Sequence, residues 1–250
     1  SAGNVVQRTL VDAYVRFDTD NTARKRYLMD VSAAAVDALL SGAGDPRELV
    51  RALARAVDER RLLLWSAHPA EERELATTGV GGALPHRPGP YLMVAVNNAA
   101  GSKLDYYLDR RVSYTGSTCR VADRLRETAV RVRLTNEVAP GAGLPDYVAG
   151  RLAAPQRLPV RNANVELVGV YAGLEAQVVD VRLDGKRVGF RLGQEQGHLA
   201  VIVPVTLPPR SPRTVEVTLS EPASTRAPTL AVQPLVRPQQ TVVHVPACDT

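Results

Sequence analysis

The feature that most constrains the fold is a change of apolar period near Gly79. Upstream of it the period is helical: Tyr27, Leu28, Val31, Ala34, Ala35, Ala38 and Leu39 fall on one stripe of a helix from about Thr22 to Leu40, interrupted afterwards by Gly42 and Gly44. Asp45-Pro46-Arg47-Glu48 then reads as an N-cap, a proline at the first helical position and a capping-box acid. The helix it opens is expected to bury Leu49, Leu53, Ala56 and Val57. Leu62 to Trp65 is a short apolar run that allows one strand, and Pro69-Ala70-Glu71-Glu72 restarts a helix that stops at Gly79. Trp65, the only tryptophan, is expected to plug the seam between helices and sheet.

Downstream of Gly89 the period is two. Tyr91 to Val96 and Tyr106 to Tyr114 read as strands, and Val130, Val132 and Leu134 alternate with Arg131, Arg133 and Thr135, as on a sheet with one face on a core. From Asn164 onward the strands are short and evenly spaced, with a hairpin signal at Asp184-Gly185 and a turn at Pro208-Pro209-Arg210-Ser211. The tail from Glu221 to Thr250 has room for one or two edge strands, limited by Pro234, Pro238 and Pro246. The expected fold class is α+β: a helical N-terminal third, a central mixed β-sheet and a C-terminal immunoglobulin-like β-sandwich. The expected domains are 1–160, helical to about residue 79 and then sheet, and 161–250, the sandwich.

Charge excludes more than it proposes. The net charge is +5, but the basic residues are interleaved with acids, as in Asp58-Glu59-Arg60-Arg61 and Asp123-Arg124-Leu125-Arg126-Glu127. That is a solvated mixed surface, not a clustered basic stripe, so no nucleic-acid partner is expected. Of the 31 basic residues only Lys25, Lys103 and Lys186 are lysine, a bias that fits a GC-rich bacterial genome. No apolar run approaches the roughly 20 residues that span a bilayer. The chain opens Ser1-Ala2-Gly3 without an initiator methionine, so an upstream membrane anchor is compatible with it.

His68, His86, His198 and His244 are dispersed without ligand spacing, and neither a metal nor a cofactor is expected. Gly79-Val80-Gly81-Gly82 precedes a proline-rich loop, not a helix, and is no phosphate cradle. Ser66 and Ser102 lack a nucleophile-elbow context. Cys119 and Cys248 read either as two free thiols or, ahead of that, as a disulfide tying the tail to the centre.

The candidate binding residues are Asn98, Lys103, Asp105 and Tyr107, where a glycine-containing loop meets a strand. Strand alternation would put Asp105 and Tyr107 on one face and Tyr106 on the other. The residues read either as loop amides, a local ion pair and sheet-covering tyrosines, or as a polar and aromatic ledge for a sugar ring. Asp105 and Asp109, two strand-steps apart at roughly 13 Å, are too far apart for either standard geometry of glycoside hydrolysis.

The order of Trp65-Ser66-Ala67-His68-Pro69-Ala70-Glu71-Glu72, Asn98 with Lys103-Leu104-Asp105-Tyr106-Tyr107, Leu134-Thr135-Asn136, and Leu144-Pro145-Asp146-Tyr147-Val148 resembles a bacterial family catalogued as domain of unknown function 4012, frequent in actinobacteria. The resemblance extends through Leu183-Asp184-Gly185 and Gln233-Pro234-Leu235-Val236. It implies a larger parent, tethered to the membrane by an N-terminal anchor, with an extracytoplasmic body at the cell surface, often met among polysaccharide-biosynthesis genes. This chain would be the C-terminal half of that body. It implies no activity. The expected function is a non-catalytic cell-envelope module that binds polysaccharide or partners of its assembly; the rivals are a glycan-active enzyme, for which paired carboxylates in a cleft near Asp105 would be telling, and a protein-interaction domain.

Overall fold

A computed structural model describes residues 2–42, 44–150 and 160–250, and gives an α+β protein with a short helical N-terminal part and two mixed sheets. Helices α1 (Ala2–Gln7) and α2 (Ala13–Arg16) flank a π-helical turn over Arg8–Asp12, and α3 (Asn21–Leu40), α4 (Pro46–Asp58) and α5 (Pro69–Ala76) follow. The caps are the ones their residue types dictate. Asp20 accepts the Ala23 amide at 2.9 Å to open α3, and Asp45 accepts the Arg47 amide at 2.9 Å to open α4, whose first residue is Pro46. No helix among the described residues is long and apolar enough to cross a membrane.

The helical faces depart from expectation. Arg24 is the only buried residue of α3, α4 buries none, and Trp65 is 76 % exposed. Among the described residues nothing buries the Leu62–Trp65 run, of which Leu63, Leu64 and Trp65 are exposed. It is not a strand, and its Leu64 amide instead donates to the Val80 carbonyl at 2.9 Å. An apolar stripe is buried only where a second surface meets it.

The strands are β1 (Tyr91–Asn98), β2 (Leu108–Gly116), β3 (Leu125–Asn136), β4 (Asn164–Leu174), β5 (Gln177–Leu183), β6 (Lys186–Arg187), β7 (Arg191–Glu195), β8 (His198–Leu207), β9 (Arg213–Pro222), β10 (Thr229–Val232) and β11 (Gln239–His244). One sheet has the order β10-β1-β4-β8-β7, the other β11-β2-β3-β9-β5-β6. The two tail strands lie at the sheet edges, β10 parallel to β1 and β11 parallel to β2, and all other pairs are antiparallel. Asp184 and Gly185, both at positive φ, close the β5–β6 hairpin.

Alternation builds the interior. Val130, Val132 and Leu134 of β3 are buried while Arg131 and Arg133 face out, and Arg131 meets Glu216, its register partner on β9, at 2.7 Å. Val168, Val170, Val201, Val203, Val215 and Val217 join the same apolar cluster, which draws on both sheets. Sequence reading places a boundary near residue 160, next to segment 151–159, which lies outside the described residues. Strands from both sides of it stand in each sheet and share this core. Periodicity identifies strands but not their partners, and closing a longer loop costs only logarithmically more.

β4 also fixes the segment that leads into β1. A Cβ on Gly173 would stand 2.4 Å from the Gly89 carbonyl oxygen. Gly173→Ala must therefore push backbone against backbone, and we expect it to lower the unfolding free energy by about 1–3 kcal/mol in urea titrations.

Candidate functional site

The site grows from the end of the β1–β4 ladder, where Asn98 pairs with Glu166. The Asn98 Oδ1 accepts the amides of Ala100 at 3.0 Å and Ser102 at 3.2 Å, curling residues 99–103 back on the strand. Its Nδ2 donates to Asp105 Oδ1 at 2.6 Å and Ser102 Oγ at 2.9 Å. Asn164, at the start of β4, donates from Nδ2 to the same Asp105 oxygen at 2.9 Å and to Glu166 Oε1, and its Oδ1 accepts the Ser102 hydroxyl at 2.9 Å. Two asparagines thus hold one aspartate, and one of them reaches on to a glutamate.

Glu166 is fully buried. Burial pushes its pKa up to about 9, and the neighbouring Asp105 carboxylate adds to this; Asn164 and Arg110 act in the opposite direction. Arg110, also buried, is shifted down by desolvation and up by Glu166. Its Nη2 donates to the Gln233 carbonyl at 3.0 Å. That grip holds the segment crossing from β10 to β11. Gln233 fastens the same segment through its side-chain amide, which accepts the Val96 N–H at 2.8 Å and donates to the Val96 carbonyl at 3.1 Å.

Beside this network opens a cleft of about 370 Å³, lined by Asn98, Lys103, Asp105 and Tyr106 together with Tyr14 and Val236. Tyr14 stacks on Tyr147 with ring centroids 5.5 Å apart. The buried Arg24 guanidinium sits 4.0 Å from the Tyr147 centroid, and Lys103 Nζ lies 5.8 Å from that ring.

The structure therefore brings Asn98, Lys103 and Asp105 together. Tyr107 is corrected: residues 104–107 form a 3₁₀ turn, not the start of a strand, so period-two alternation does not apply to them. Asp105 and Tyr106 line the cleft, and Tyr107 packs against the apolar cluster of Leu104, Val138 and Val148. Sequence reading missed Tyr14, Asn164 and Glu166. The signal for Glu166 was present: it shares strand parity with Val168 and Val170 and so lies on the core face of β4. Cys119 and Cys248 form a disulfide across 129 residues. His198 is a buried strand histidine, its ring nitrogens 2.7 and 2.9 Å from the carbonyl oxygens of Ala172 and Pro85, so a neutral ring donates to one of the two.

No family model matches the chain, and no curated protein matches it. Among solved structures, a putative nutrient binding protein from Legionella pneumophila is similar over 54% of this chain and 44% of its own, at 8% identity and a TM-score of 0.33. A mutant two-domain M1 zinc metallopeptidase bound to L-tryptophan is similar over 48% of this chain and 22% of its own, at 13% identity and a TM-score of 0.24. The aminopeptidase A of Legionella pneumophila, in complex with aspartic acid, is similar over 50% of this chain and 12% of its own, at 15% identity and a TM-score of 0.24. The chain spans less than half the length of each.

Proposed function

We propose that the chain is a non-catalytic binding module of a bacterial cell envelope, holding a polysaccharide or a partner of its assembly in the cleft at Asn98, Lys103 and Asp105. The observation that carries this reading is the cleft's composition. An ammonium and a carboxylate stand beside the rings of Tyr14 and Tyr106 in about 370 Å³, a mixture that grips hydroxyl groups and stacks on a sugar face, while the Asn98 amide, its donors and acceptor already engaged, holds the carboxylate in place. Asp105 is preset by Asn98 and Asn164, which lowers the ordering cost of binding. The disulfide supports an oxidising, extracytoplasmic setting. The resemblance to the domain-of-unknown-function 4012 family supports a membrane-anchored parent, and in this reading the sheets serve as an immunoglobulin-like scaffold.

The paired carboxyls near Asp105 do not favour a glycan-cleaving enzyme. Glycoside hydrolysis needs two carboxyls about 5 to 10 Å apart with sugar between them. Glu166 instead lies buried beside Asp105, with Asn164 bridging the two, and is not among the residues that line the cleft. A protein-interaction role is the second reading, favoured by the exposed Val36, Leu39, Leu40, Val50 and Trp65 of the helical part.

The test is an NMR titration of the chain with neutral oligosaccharide fragments of actinobacterial envelopes. Saturable shifts are expected at residues 98–106, with binding weakened about tenfold, or about 1.4 kcal/mol, in both Lys103→Ala and Tyr106→Ala. Absence of saturable shifts there, together with capture of an envelope protein that Trp65→Ala abolishes, would replace this reading with the protein-interaction one.

A further inference from the structure

A second cavity, sharing no residue with the cleft, lies where the segment before β1 meets the end of α5 and the segment before β10; its volume is about 580 Å³. Its wall is fixed at several points. The Pro85 carbonyl is held by His198, the Leu84 amide donates to the Gln196 side chain at 3.2 Å, the Gly89 carbonyl is seated against Gly173, and the Pro90 carbonyl accepts the Thr229 amide at 2.9 Å. Pro85, Pro88 and Pro90 remove backbone freedom and three competing N–H groups from this stretch.

The charge of that wall is one-sided. Arg87 and Arg226 line it with His86 beside them, and no carboxylate does. Arginines of the strands and of the turn before β9 have acids: Arg131 has Glu216, Arg182 has Asp180, Arg210 has Glu137 and Arg213 has Asp184. Neither the Arg87 nor the Arg226 guanidinium has such a partner among the described residues. The stem of Arg226 packs by Gly89, with its Cδ 3.6 Å from where a Cβ would stand, which places it over the segment that carries Arg87. Buried Tyr91 lines the same cavity, and its hydroxyl has no hydrogen-bond partner among the described residues.

From this geometry we infer that the cavity is an oxyanion site. It takes a small molecule or glycan unit whose carboxylate or phosphate lies between Arg87 and Arg226 and whose apolar face rests on Leu84 and the prolines. A guanidinium offers paired donors that match both anions, and because the backbone of the wall is already ordered by its contacts, binding has to order only the exposed Arg87 and Arg226 side chains. The inference stands apart from the reading of the Asp105 cleft, because the residues, the charge and the ligand chemistry all differ.

The test follows backbone amide shifts of the whole chain at fixed ionic strength during titration with inorganic phosphate, with glucuronate and with neutral glucose. Saturable shifts at residues 84–89 and 226–229 are expected for at least one oxyanion and not for glucose. Affinity should fall at least tenfold in both Arg87→Gln and Arg226→Gln and stay within twofold in Arg55→Gln on α4. Saturation by phosphate alone assigns a phosphorylated ligand, and saturation by glucuronate a carboxylate-bearing one. The inference is overturned if neither anion saturates, or if Arg55→Gln weakens binding as much as the other two.

Discussion

Replacing Cys119 and Cys248 by serine should lower the unfolding free energy by roughly 2–5 kcal/mol. The two cysteines close a loop across 129 residues, for which chain entropy alone gives about 5 kcal/mol. The bond also anchors contacts that have no other covalent restraint. Asp249 donates its amide to the Cys119 carbonyl at 2.9 Å, the Val121 amide donates to Asp249 at 2.8 Å, and the Cys248 amide donates to Ser224 at 2.8 Å. Beneath them Arg126, nearly buried, lies 3.7 Å from Cys119 Sγ and donates to the Pro246 carbonyl. Its neighbour Glu221 accepts the hydroxyls of Tyr114 at 2.5 Å and Thr128 at 2.7 Å. Loosening the tail would let water reach this cluster and free β11 from the edge of its sheet. Urea titrations of the wild type with and without reductant, and of the double serine variant, should place the reduced wild type and the variant together. A difference of less than about 1 kcal/mol from the oxidised protein would contradict this.

Glu166→Gln is expected to stabilise the protein, against the usual direction of a substitution in a buried network. The folded pKa of Glu166 is raised to about 9 from 4.5, so between these values the folded state binds more protons than the unfolded chain. Stability from this group is therefore fully present below about pH 4.5 and declines as pH rises towards 9. Keeping the carboxyl neutral at pH 7 costs on the order of 3 kcal/mol. Glutamine is neutral at every pH, keeps an oxygen for Asn164 and sets its NH2 at the place of Glu166 Oε2, which has no hydrogen-bond partner among the described residues. The variant should gain up to that amount at pH 7 and lose the downward slope between pH 4.5 and 9. Denaturant midpoints measured across the range decide it: an unchanged slope would show that Glu166 is not held neutral.

Much of this arrangement is written locally. The alternation of Val130, Val132 and Leu134 with Arg131 and Arg133, the Asp184-Gly185 turn, and the prolines that limit the length of the tail strands all report local backbone preferences, and local preferences survive folding. Partners are not local. That β1 lies between β4 and β10, or that Glu166 meets Asp105, depends on contacts across 60 or more residues, which no period encodes. Trp65 shows the same limit from the other side, since its apolar run is plain in the sequence while the surface expected to cover it is absent from the described residues. Tyr107 was misplaced because a single 3₁₀ turn precedes β2, and four residues are too few to reveal a change of period. Glu166 was legible by parity, but reading it requires treating a charged residue on a core face as information about a site.

The central claim is that the Asp105 cleft binds without cleaving. Envelope polysaccharide fragments incubated with the purified chain, with retention on the protein and the glycan mass spectrum followed over time, test it most directly. The account predicts that glycan is retained at its starting mass and that retention weakens in Lys103→Ala. Lower-mass products that disappear in Asp105→Asn would contradict it and make the protein an enzyme.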